Sequence, residues 1–347
     1  MVNTMTIKIT MFSSAQKVAG QGVGSAYSEL IRLLKTYLNN DFEICINDYH
    51  RTDISHYHTI DPQFYLSTFS PKRGRKIGYV HFLPETLQGS LKIPRLAQPL
   101  VAKYIISFYK RMDQIVVVNP SFIPKLTAYG IAPEKVTYIP NFVSQKEFYP
   151  VSEDQRQQIR QQLGLEASDF VVLGDGQVQK RKGVDDFYRL AQNNPQIQFI
   201  WAGGFSFGRL TDGYQHYQRL MQNAPHNMHF TGIVDRQKLN DYLNAADLFL
   251  LPSFDELFPM SVLEAFNTHT PVLLRDLQLY HDIIAGYYQP AENYQEMNQI
   301  IRHLWTNPAD LLQLAQLAAA GADYYSEQHL SEIWRTFYLQ QYNQKRG

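Results

Sequence analysis

Short apolar runs alternate with segments of helical periodicity along the whole chain. The apolar runs are rich in Val and Ile and lack a polar face, which is typical of parallel strands buried on both sides. They predict strands at residues 6–12, 42–47, 77–82 and 114–119, and again at 170–174, 197–202, 228–231, 247–252 and 271–274. The intervening segments predict helices at about 24–38, 95–110, 184–193, 236–244, 261–268 and 293–323. Alternating strands and helices indicate βαβ units and doubly wound α/β sheets.

The strand and helix series restarts near residue 165, after a proline-containing stretch at 140–150, which predicts two α/β domains in the 347 residues. We assign residues 1–150 to an N-terminal domain and residues 151–325 to a C-terminal domain. Residues 326–347 are expected to form a helix that packs back toward the first domain. Because ligands of doubly wound sheets bind beyond the carboxyl ends of the strands, a site is expected in the cleft between the domains.

The composition excludes several classes of protein. With a single cysteine, Cys45, the chain has no internal disulfide framework and no cysteine-based zinc site. No apolar run approaches the roughly 18–20 residues of a membrane-spanning helix. The chain starts with a strand-like segment rather than a signal-peptide pattern, so we expect a reducing compartment. It contains no Asp-x-Asp motif, and no metal site is predicted.

The net charge of zero hides an asymmetry between the two halves. Residues 1–150 contain 17 Lys and Arg against 10 Asp and Glu, which leaves an equal negative excess in residues 151–347. One acid, Glu85, and nine basic residues lie between positions 72 and 111: Lys72, Arg73, Arg75, Lys76, Lys92, Arg95, Lys103, Lys110 and Arg111. A basic segment of this kind favours an anionic partner, such as nucleic acid or an anionic membrane surface.

The second part of this basic segment is predicted to form an amphipathic helix, and two prolines place its start near Gln98. Lys92, Lys103 and Lys110 fall within about 20° of one another on a helical wheel. Apolar residues at positions 100, 101, 104, 105 and 108 spread over the other side. Basic and apolar groups together suit an anionic bilayer, whereas no nucleic-acid-binding module is recognisable. The alternative is a helix that buries its apolar side on the sheet and solvates its lysines.

The segment LPSFDELFPMSVLEA at residues 251–265 places two glutamates at the junction of a strand and a helix. Pro259 disfavours one continuous helix through both, so Glu256 is predicted in the loop and Glu264 one turn inside the helix. The first backbone N–H groups of this helix, at residues 260–262, are free to bind a diphosphate. Ionised carboxylates accept hydrogen bonds from ligand hydroxyls. The alternative is a helix cap with a solvated glutamate.

The glycine-rich stretch at residues 20–24, which includes Gly22, follows a strand and opens a helix. Glycines at such a position let the backbone approach a phosphate closely. The G-x-G-x-G spacing, without a clear acidic residue about 20 positions further on, is a poor match to the dinucleotide fingerprint, so an NAD site is disfavoured. A ligand-facing loop and a plain tight turn both stay open from the residues alone.

Four stretches together resemble the retaining glycosyltransferases of family 4, which have the GT-B fold. Residues 251–265 resemble the E-x7-E region of that family, and GDGQVQKRKGVDDF at 174–187 resembles its G-R-x4-K-G segment, matching at Gly176, Lys182 and Gly183. Residues 230–253 resemble the segment around the nucleotide base, and residues 20–30 resemble the N-terminal glycine loop. The resemblance implies an α/β protein with two Rossmann-like doubly wound domains that face each other across a cleft.

The resemblance also implies roles for the matching residues. It places Glu256 beside the donor sugar, Glu264 at the ribose hydroxyls and Lys182 at the donor diphosphate. His81, at the end of an N-terminal strand, is expected to act in catalysis with Glu256 by orienting the donor sugar and stabilising charge in the transition state. Further donor-binding positions are Gly22, Gln177, Arg181, Phe258, Pro259, Met260 and Ser261.

The chain departs from the family pattern at one position of this site. The arginine that helps to neutralise the diphosphate in the family is Gln177 here. The departure removes a positive charge from the position of the leaving group. Arg181 or Lys180 is expected to replace it from a different direction.

Among family members, the chain most resembles bacterial glycolipid synthases that add a second hexose to monoglucosyl-diacylglycerol, the anchor lipid of lipoteichoic acid. This resemblance implies a peripheral enzyme on the cytoplasmic face of the cell membrane, with UDP-glucose or UDP-galactose as donor and no cofactor. The leaving diphosphate is expected to help deprotonate the acceptor, so catalysis depends on positioning and electrostatic stabilisation. A hexosyltransferase for a soluble polysaccharide or wall polymer, and a non-catalytic nucleotide-sugar-binding subunit, are the alternatives.

Overall fold

The computed structural model of the chain describes residues 6–15, 22–81, 83–84, 97–206, 208, 211–256, 258 and 260–344. These residues form two compact units. The first unit contains the described residues up to 142 together with residues 327–344, and the second contains the described residues from 143 to 326. The boundary between the units therefore lies at residue 142 rather than at residue 150, where the sequence pattern places it.

The first unit is built on a six-stranded sheet in which all neighbouring strands are parallel. Its strands are β1 (Ile7–Phe12), β2 (Phe42–Ile46), β3 (Ile54–Tyr57), β4 (Arg75–Val80), β5 (Gln114–Val117) and β6 (Val136–Tyr138), in the order β2-β1-β3-β4-β5-β6. Its helices are α1 (Gly22–Tyr37), α2 (Pro62–Ser67), α3 (Gln98–Lys110), α4 (Phe122–Ala128) and the last helix of the chain, α13 (Glu327–Gln344). Ile9, Val80 and Val116 are fully buried, as expected of strands covered on both faces.

The second unit has the same architecture, with six parallel strands and helices between them. Its strands are β7 (Val171–Asp175), β8 (Gln198–Ala202), β9 (Met228–Gly232), β10 (Leu248–Leu251), β11 (Val272–Arg275) and β12 (Gln289–Ala291), in the order β12-β11-β10-β7-β8-β9. Its helices are α5 (Glu153–Gln162), α6 (Val184–Asn193), α7 (Tyr214–Gln222), α8 (Arg236–Ala245), α9 (Met260–Asn267), α10 (Gln278–His281), α11 (Tyr294–Thr306) and α12 (Pro308–Tyr324).

The prediction of two doubly wound α/β domains is confirmed, and every predicted strand has a counterpart. The apolar pattern misses β3, because Ser55 and His56 interrupt its apolar run although both are buried. It also misses β6 and β12, which have three residues each. The single helix predicted over residues 293–323 is wrong: α11 ends before Asn307, and Pro308 begins α12.

A partly buried charge cluster joins the beginnings of β7 and β10 in the second unit. Asp247, directly before β10, accepts a hydrogen bond from the backbone N–H of Val171 at 2.7 Å. It also accepts from the guanidinium groups of Arg156 and Arg160 on α5, each at 2.6 Å. Because both strands start at one anchored carboxylate, their carboxyl ends, which carry the candidate site, are held side by side.

The last helix, α13, closes one face of the first sheet. The hydroxyl of Tyr338 lies 2.8 Å from Nδ1 of His56, and the ring of Trp334 stacks on Tyr79 with ring centroids 5.9 Å apart. Trp334 and Tyr338 are buried. The C-terminal helix is therefore part of the core of the first unit.

Candidate active site

A buried carboxylate, Glu256, lies in the loop that follows β10 and is 6% exposed. Its Oε1 accepts hydrogen bonds from Lys182 Nζ at 2.6 Å and Ser253 Oγ at 2.7 Å, and its Oε2 accepts one from Arg181 at 3.2 Å. Burial alone would raise the pKa of Glu256, but the two cations and the hydrogen bonds outweigh burial and hold this pKa below its ordinary value. Glu256 is therefore ionised near neutral pH and fixed in one orientation.

A short 3₁₀ turn, Lys180–Lys182, follows β7 and brings the two cations to Glu256. The turn ends at Gly183, whose φ of 72° lies in the left-handed region. A Cβ on Gly183 would lie 2.1 Å from the carbonyl oxygen of Pro252, so only glycine fits there. The N–H of Phe254 donates to the carbonyl oxygen of Arg181 at 2.8 Å. The turn after β7 and the loop after β10 therefore form one connected structure.

Arg275, the last residue of β11, anchors the same loop. Its Nε donates to the carbonyl oxygen of Pro252 at 3.1 Å, and its NH2 donates to Asp186 at 2.5 Å. The guanidinium lies 4.0 Å from the centroid of the Phe254 ring, a favourable cation–π arrangement. The sequence prediction does not include Arg275, although a cation that ends an apolar strand is a recognisable signal.

The second glutamate of the motif, Glu264, lies inside α9 and is 5% exposed. Arg236 of α8 approaches its Oε1 at 3.5 Å and also pairs with Glu147. Burial raises the pKa of Glu264 to about 8, an effect that Arg236 opposes and that Asp175 and Glu147 reinforce. Glu264 is therefore largely protonated at neutral pH.

A third carboxylate, Asp175, ends β7. Burial raises its pKa to about 6, while the charge of Lys182 and the backbone N–H of Gly176 oppose this rise and Glu256 reinforces it. The sequence prediction gives Asp175 no role, because the resemblance in that segment rests on its glycines and cations. Within the described ranges, no group of three His, Cys, Asp or Glu side chains is placed to hold a metal ion.

Because the pKa of Glu264 is raised, the stability of the folded protein should depend on pH. A carboxyl whose folded-state pKa rises from 4.5 to about 8 contributes stability that is present below pH 4.5 and is lost as the pH rises through 8. We expect Glu264→Gln, which cannot ionise, to melt several degrees above the wild type near pH 9 and close to it near pH 4.5. Thermal melting across this range measures the difference, and a difference that does not grow with pH contradicts the assigned pKa.

The remaining donor-binding residues predicted near the start of α9 are buried. Phe258, Met260 and Ser261 are each less than a tenth exposed. The ring of Phe258 packs edge-on against Tyr325, with ring centroids 5.8 Å apart. Pro259 lies outside the described residues. The interpretation of Glu264 as a residue of the following helix is confirmed, because α9 begins at Met260.

Arg181 and Lys180 are the two candidates to replace the positive charge of the family arginine, which is Gln177 here, and the structure distinguishes them. Gln177 is half-buried two residues after the end of β7. Arg181 binds Glu256 and also donates to the carbonyl oxygen of Asp255 at 2.7 Å. Lys180, in the same turn, is exposed. Arg181 is therefore the cation that accompanies Lys182 in this cluster.

His81, the histidine predicted to act in catalysis, follows β4 in the first unit and is 6% exposed. The ring of Tyr79 stacks on it at a centroid distance of 4.4 Å, and its Nε2 lies 3.3 Å from Nδ1 of His58. Burial lowers the pKa of His81 to about 3, so the ring is neutral at physiological pH. It can exchange hydrogen bonds with a sugar, but it cannot supply a positive charge.

Gly22, from the predicted glycine loop, is the first residue of α1.

The prediction that Arg73 contacts a membrane is wrong, because Arg73 is 1% exposed. Its guanidinium donates to the carbonyl oxygens of Asp48, Tyr49 and His50 at 3.0, 2.5 and 2.5 Å. It also lies 5.4 Å from the centroid of the Phe12 ring. Arg73 therefore organises the loop at residues 48–50 inside the first unit.

Three other cations of the basic segment have partners within the same unit. Arg75 donates to two glutamine side chains of α13 at 2.9 and 2.6 Å. Lys76 pairs with Asp113 at 3.4 Å, and Arg111 lies 3.5 Å from the centroid of the Phe69 ring. Lys72, Lys103 and Lys110 are exposed, while Lys92 and Arg95 lie outside the described residues.

The helix predicted in the basic segment begins at Gln98, as α3. Its Ile105 and Phe108 are buried, so most of its apolar side belongs to the core. This agrees with the alternative interpretation, in which the helix buries its apolar side on the sheet. Leu100 is an exception and is 71% exposed. None of the helices in the described part of the chain is long and apolar enough to cross a membrane.

Two family models match the chain. One, described as Glycosyltransferase Family 4, matches residues 25–147, and the other, described as Glycosyl transferases group 1, matches residues 155–320. The alpha-galactosylglucosyldiacylglycerol synthase of Streptococcus pneumoniae is 52% identical over 336 residues, which cover 96% of this chain and 90% of that protein. The chain is a family 4 glycosyltransferase. The resemblance drawn from the E-x7-E and G-x5-K-G stretches is thereby confirmed.

This glycosyltransferase is also similar to more distant proteins. The processive diacylglycerol alpha-glucosyltransferase of Acholeplasma laidlawii is 28% identical, over 58% of this chain and 60% of that protein. The crystal structure of HepE from Anabaena, in complex with UDP and glucose, matches with a TM-score of 0.75 at 18% identity, over 95% of this chain and 99% of that chain. The predicted GT-B fold class is confirmed.

Proposed function

We propose that this glycosyltransferase moves a hexose, either glucose or galactose, from a UDP-sugar to a membrane glycolipid such as monoglucosyl-diacylglycerol, with retention of the anomeric configuration. The observation that carries the proposal is the 52% identity, over 96% of the chain, to a protein named alpha-galactosylglucosyldiacylglycerol synthase. The buried cluster of Glu256, Lys182 and Arg181 offers the chemistry that such a donor requires. The product is a diglycosyl-diacylglycerol.

The donor diphosphate binds, in this proposal, at the turn after β7 and the start of α9. Lys182 and Arg181 place two positive charges beside Glu256, where both can also pair with a phosphate. The backbone N–H groups at the start of α9 add favourable partners for an anion. Negative charge grows on the diphosphate as its bond to the sugar breaks, so these groups stabilise the transition state more than the ground state.

Glu256 and Glu264 are assigned to different parts of the donor. The ionised Glu256 accepts hydrogen bonds from sugar hydroxyls and stabilises positive charge at the anomeric carbon. Glu264, whose pKa is about 8, binds the ribose hydroxyls and can donate as well as accept near neutral pH. In the transfer step, the bond from the anomeric carbon to the diphosphate oxygen breaks, and the acceptor oxygen bonds to the same face of that carbon. The acceptor proton passes to the leaving diphosphate.

A lipid acceptor requires a surface that meets the membrane, and we assign this role to a basic and apolar surface of the first unit. It consists of Lys72, Lys103, Lys110, Leu66, Phe69 and Leu100, all exposed. Helices α2 and α3, which carry most of these residues, contact each other through Tyr65 and Ser107, whose hydroxyls are 2.9 Å apart. Each Lys near an anionic bilayer contributes about 1 kcal/mol of attraction. We place this membrane association on the cytoplasmic face, where UDP-sugars are available.

Membrane binding by this basic and apolar surface is expected to be mainly electrostatic. Replacing Lys103 and Lys110 with Ser should weaken binding to anionic vesicles roughly 30-fold, because two attractions of about 1 kcal/mol each are lost. Replacing Lys125 and Lys135 with Ser removes the same charge from elsewhere in the unit and should have a much smaller effect. Vesicle co-sedimentation at low and high salt measures both, and UDP binding by calorimetry should be unchanged in all variants.

The apolar residues of the surface should contribute membrane binding that does not depend on salt. Screening shortens the reach of charges to about 8 Å at physiological salt, so the electrostatic part of binding should fall as salt rises. Exchanging Leu66, Phe69 and Leu100 for Ser should remove the binding that persists at high salt. Equal binding of the wild type to neutral and anionic vesicles, or to neither, argues against this surface and for a soluble acceptor.

The acceptor class is tested by UDP release. Purified protein with UDP-glucose or UDP-galactose should release UDP when vesicles containing monoglucosyl-diacylglycerol are present. Soluble polysaccharide or wall-polymer acceptors should give only the background rate. Turnover that is faster with a soluble acceptor than with the glycolipid contradicts the proposal and favours the soluble-acceptor enzyme.

A further inference from the structure

Three buried histidines form a row on one face of the first sheet. His56 lies in β3, His58 directly follows β3, and His81 directly follows β4. All three are at most 6% exposed. Burial lowers the pKa of His56 and of His81 to about 3 and that of His58 well below its ordinary value. The three imidazoles are therefore neutral, and each carries one ring N–H.

His58 and His81 share one hydrogen bond. Nδ1 of His58 lies 3.3 Å from Nε2 of His81, so one of these nitrogens donates and the other accepts. The other nitrogen of His58, Nε2, is buried without a hydrogen-bond partner among the described residues. A buried N–H without an acceptor is rarer and more costly than an unused lone pair. The hydrogen of His58 therefore belongs on Nδ1, where it is donated to His81.

This assignment fixes the tautomer of His81. Because its Nε2 accepts a hydrogen bond from His58, the single proton of the neutral His81 ring lies on Nδ1. Aromatic packing fixes the ring planes as well: Tyr79 stacks on His58 and on His81 at centroid distances of 4.9 and 4.4 Å. Tyr27 of α1 meets His58 edge-on at 5.0 Å. The ring of His81 is held in one orientation with Nδ1–H as its remaining hydrogen-bonding group.

We propose that His58 is a positioning residue of this glycosyltransferase, which holds His81 in the Nδ1-protonated tautomer so that His81 offers a hydrogen-bond donor to an oxygen of the donor sugar. This inference rests on the proposed function and on the role at the donor sugar that the family resemblance implies for His81. A neutral ring in the wrong tautomer would present a lone pair in place of the N–H, so the pairing with His58 decides which interaction His81 can make. His58 thus acts on the sugar only through His81.

The tautomer is tested directly by NMR of the wild-type protein with 15N-labelled histidine. The signals of His81, assigned with the His81→Asn variant, should show a protonated Nδ1 and an unprotonated, hydrogen-bonded Nε2. In His58→Leu this pattern should change, since the donor to Nε2 is gone. A protonated Nε2 in the wild-type protein overturns the inference, whether or not the protein is active.

Kinetics separate positioning from a merely structural role. His58→Leu should lower kcat/KM for the UDP-sugar about tenfold or more, and His58→Asn, whose amide N–H lies close to the position of Nδ1, should restore most of the activity. His56→Leu is the matched control, because His56 is equally buried but pairs with Tyr338 rather than with His81. It should retain activity close to that of the wild type.

Double variants complete the test. In the His81→Ala background, His58→Leu should cause no further loss, because His58 acts through His81. An equal loss in His56→Leu, or a further tenfold loss from His58→Leu in the His81→Ala enzyme, shows that His58 is only structural and overturns the inference. A wild-type protein that transfers no hexose to glycolipid contradicts the proposed function instead, and the NMR result then decides the pairing of His58 by itself.

Discussion

Lys182→Ala is expected to lower kcat/KM for the UDP-sugar by about 2–4 kcal/mol of transition-state stabilisation, or roughly 30- to 1000-fold. Lys182 is buried, its Nζ lies 2.6 Å from Glu256, and Arg181 is the other cation beside this carboxylate. In the proposed donor site, its loss removes a positive charge that stabilises the leaving diphosphate. It also leaves Glu256 with a single cationic partner, which raises the pKa of Glu256. Steady-state kinetics with both UDP-sugars measure the effect.

The matched control for Lys182 lies in the same turn. Lys180 carries the same charge but is exposed, so Lys180→Ala should change kcat/KM by less than about threefold. Thermal melting of both variants separates a loss of chemistry from a loss of folded protein. Equal effects of the two substitutions would remove Lys182 from the donor site and reduce the proposal to a general attraction between a basic turn and an anionic donor.

Glu256→Gln and Glu264→Gln should separate turnover from nucleotide binding. Glu256→Gln removes the negative charge that we assign to the anomeric carbon and should lower kcat on the order of 100- to 1000-fold with little change in UDP affinity. Glu264→Gln alters the group assigned to the ribose and should raise the KM of the donor and the Kd of UDP several-fold, with a smaller effect on kcat. Steady-state kinetics and calorimetry with UDP provide both readouts.

The comparison between the two glutamine variants is internally controlled. Both substitutions replace a buried glutamate by its neutral isostere, and thermal melting of the two variants separates a loss of folded protein from a loss of turnover or binding. If Glu256→Gln loses UDP binding while Glu264→Gln behaves like the wild type, the two assignments are reversed. If neither substitution affects turnover or binding, the site lies elsewhere.

The fold could be predicted from the sequence because buried parallel strands and amphipathic helices differ in periodicity. The pattern fails where polar residues lie in the core. Ser55 and His56 in β3 look like loop residues, yet both are buried. Arg73 shows the same limitation: sequence gives its charge, but its burial depends on carbonyl groups of residues 48–50 and on the ring of Phe12, which the tertiary fold brings to it.

Site residues could be predicted from the sequence where they belong to a motif. They could not be predicted where only a tertiary contact identifies them. Glu256 and Lys182 follow from their motifs, but the direct ion pair between them joins residues 74 positions apart. Asp175 belongs to no motif, and its importance comes from burial near two other carboxylates. His58 resembles a core histidine in the sequence, and only the 3.3 Å contact with His81 distinguishes it from His56.

The structure of the product shows whether the enzyme moves a hexose to a glycolipid with retention of configuration. Wild-type protein is incubated with each UDP-hexose and with vesicles of monoglucosyl-diacylglycerol in an anionic lipid, and the extracted lipids are analysed by mass spectrometry and NMR. We expect a lipid heavier by one hexose, formed from UDP-glucose or UDP-galactose, with the α configuration at the new anomeric centre. A β-linked product, or UDP and free hexose without any glycosylated lipid, would contradict the proposed function.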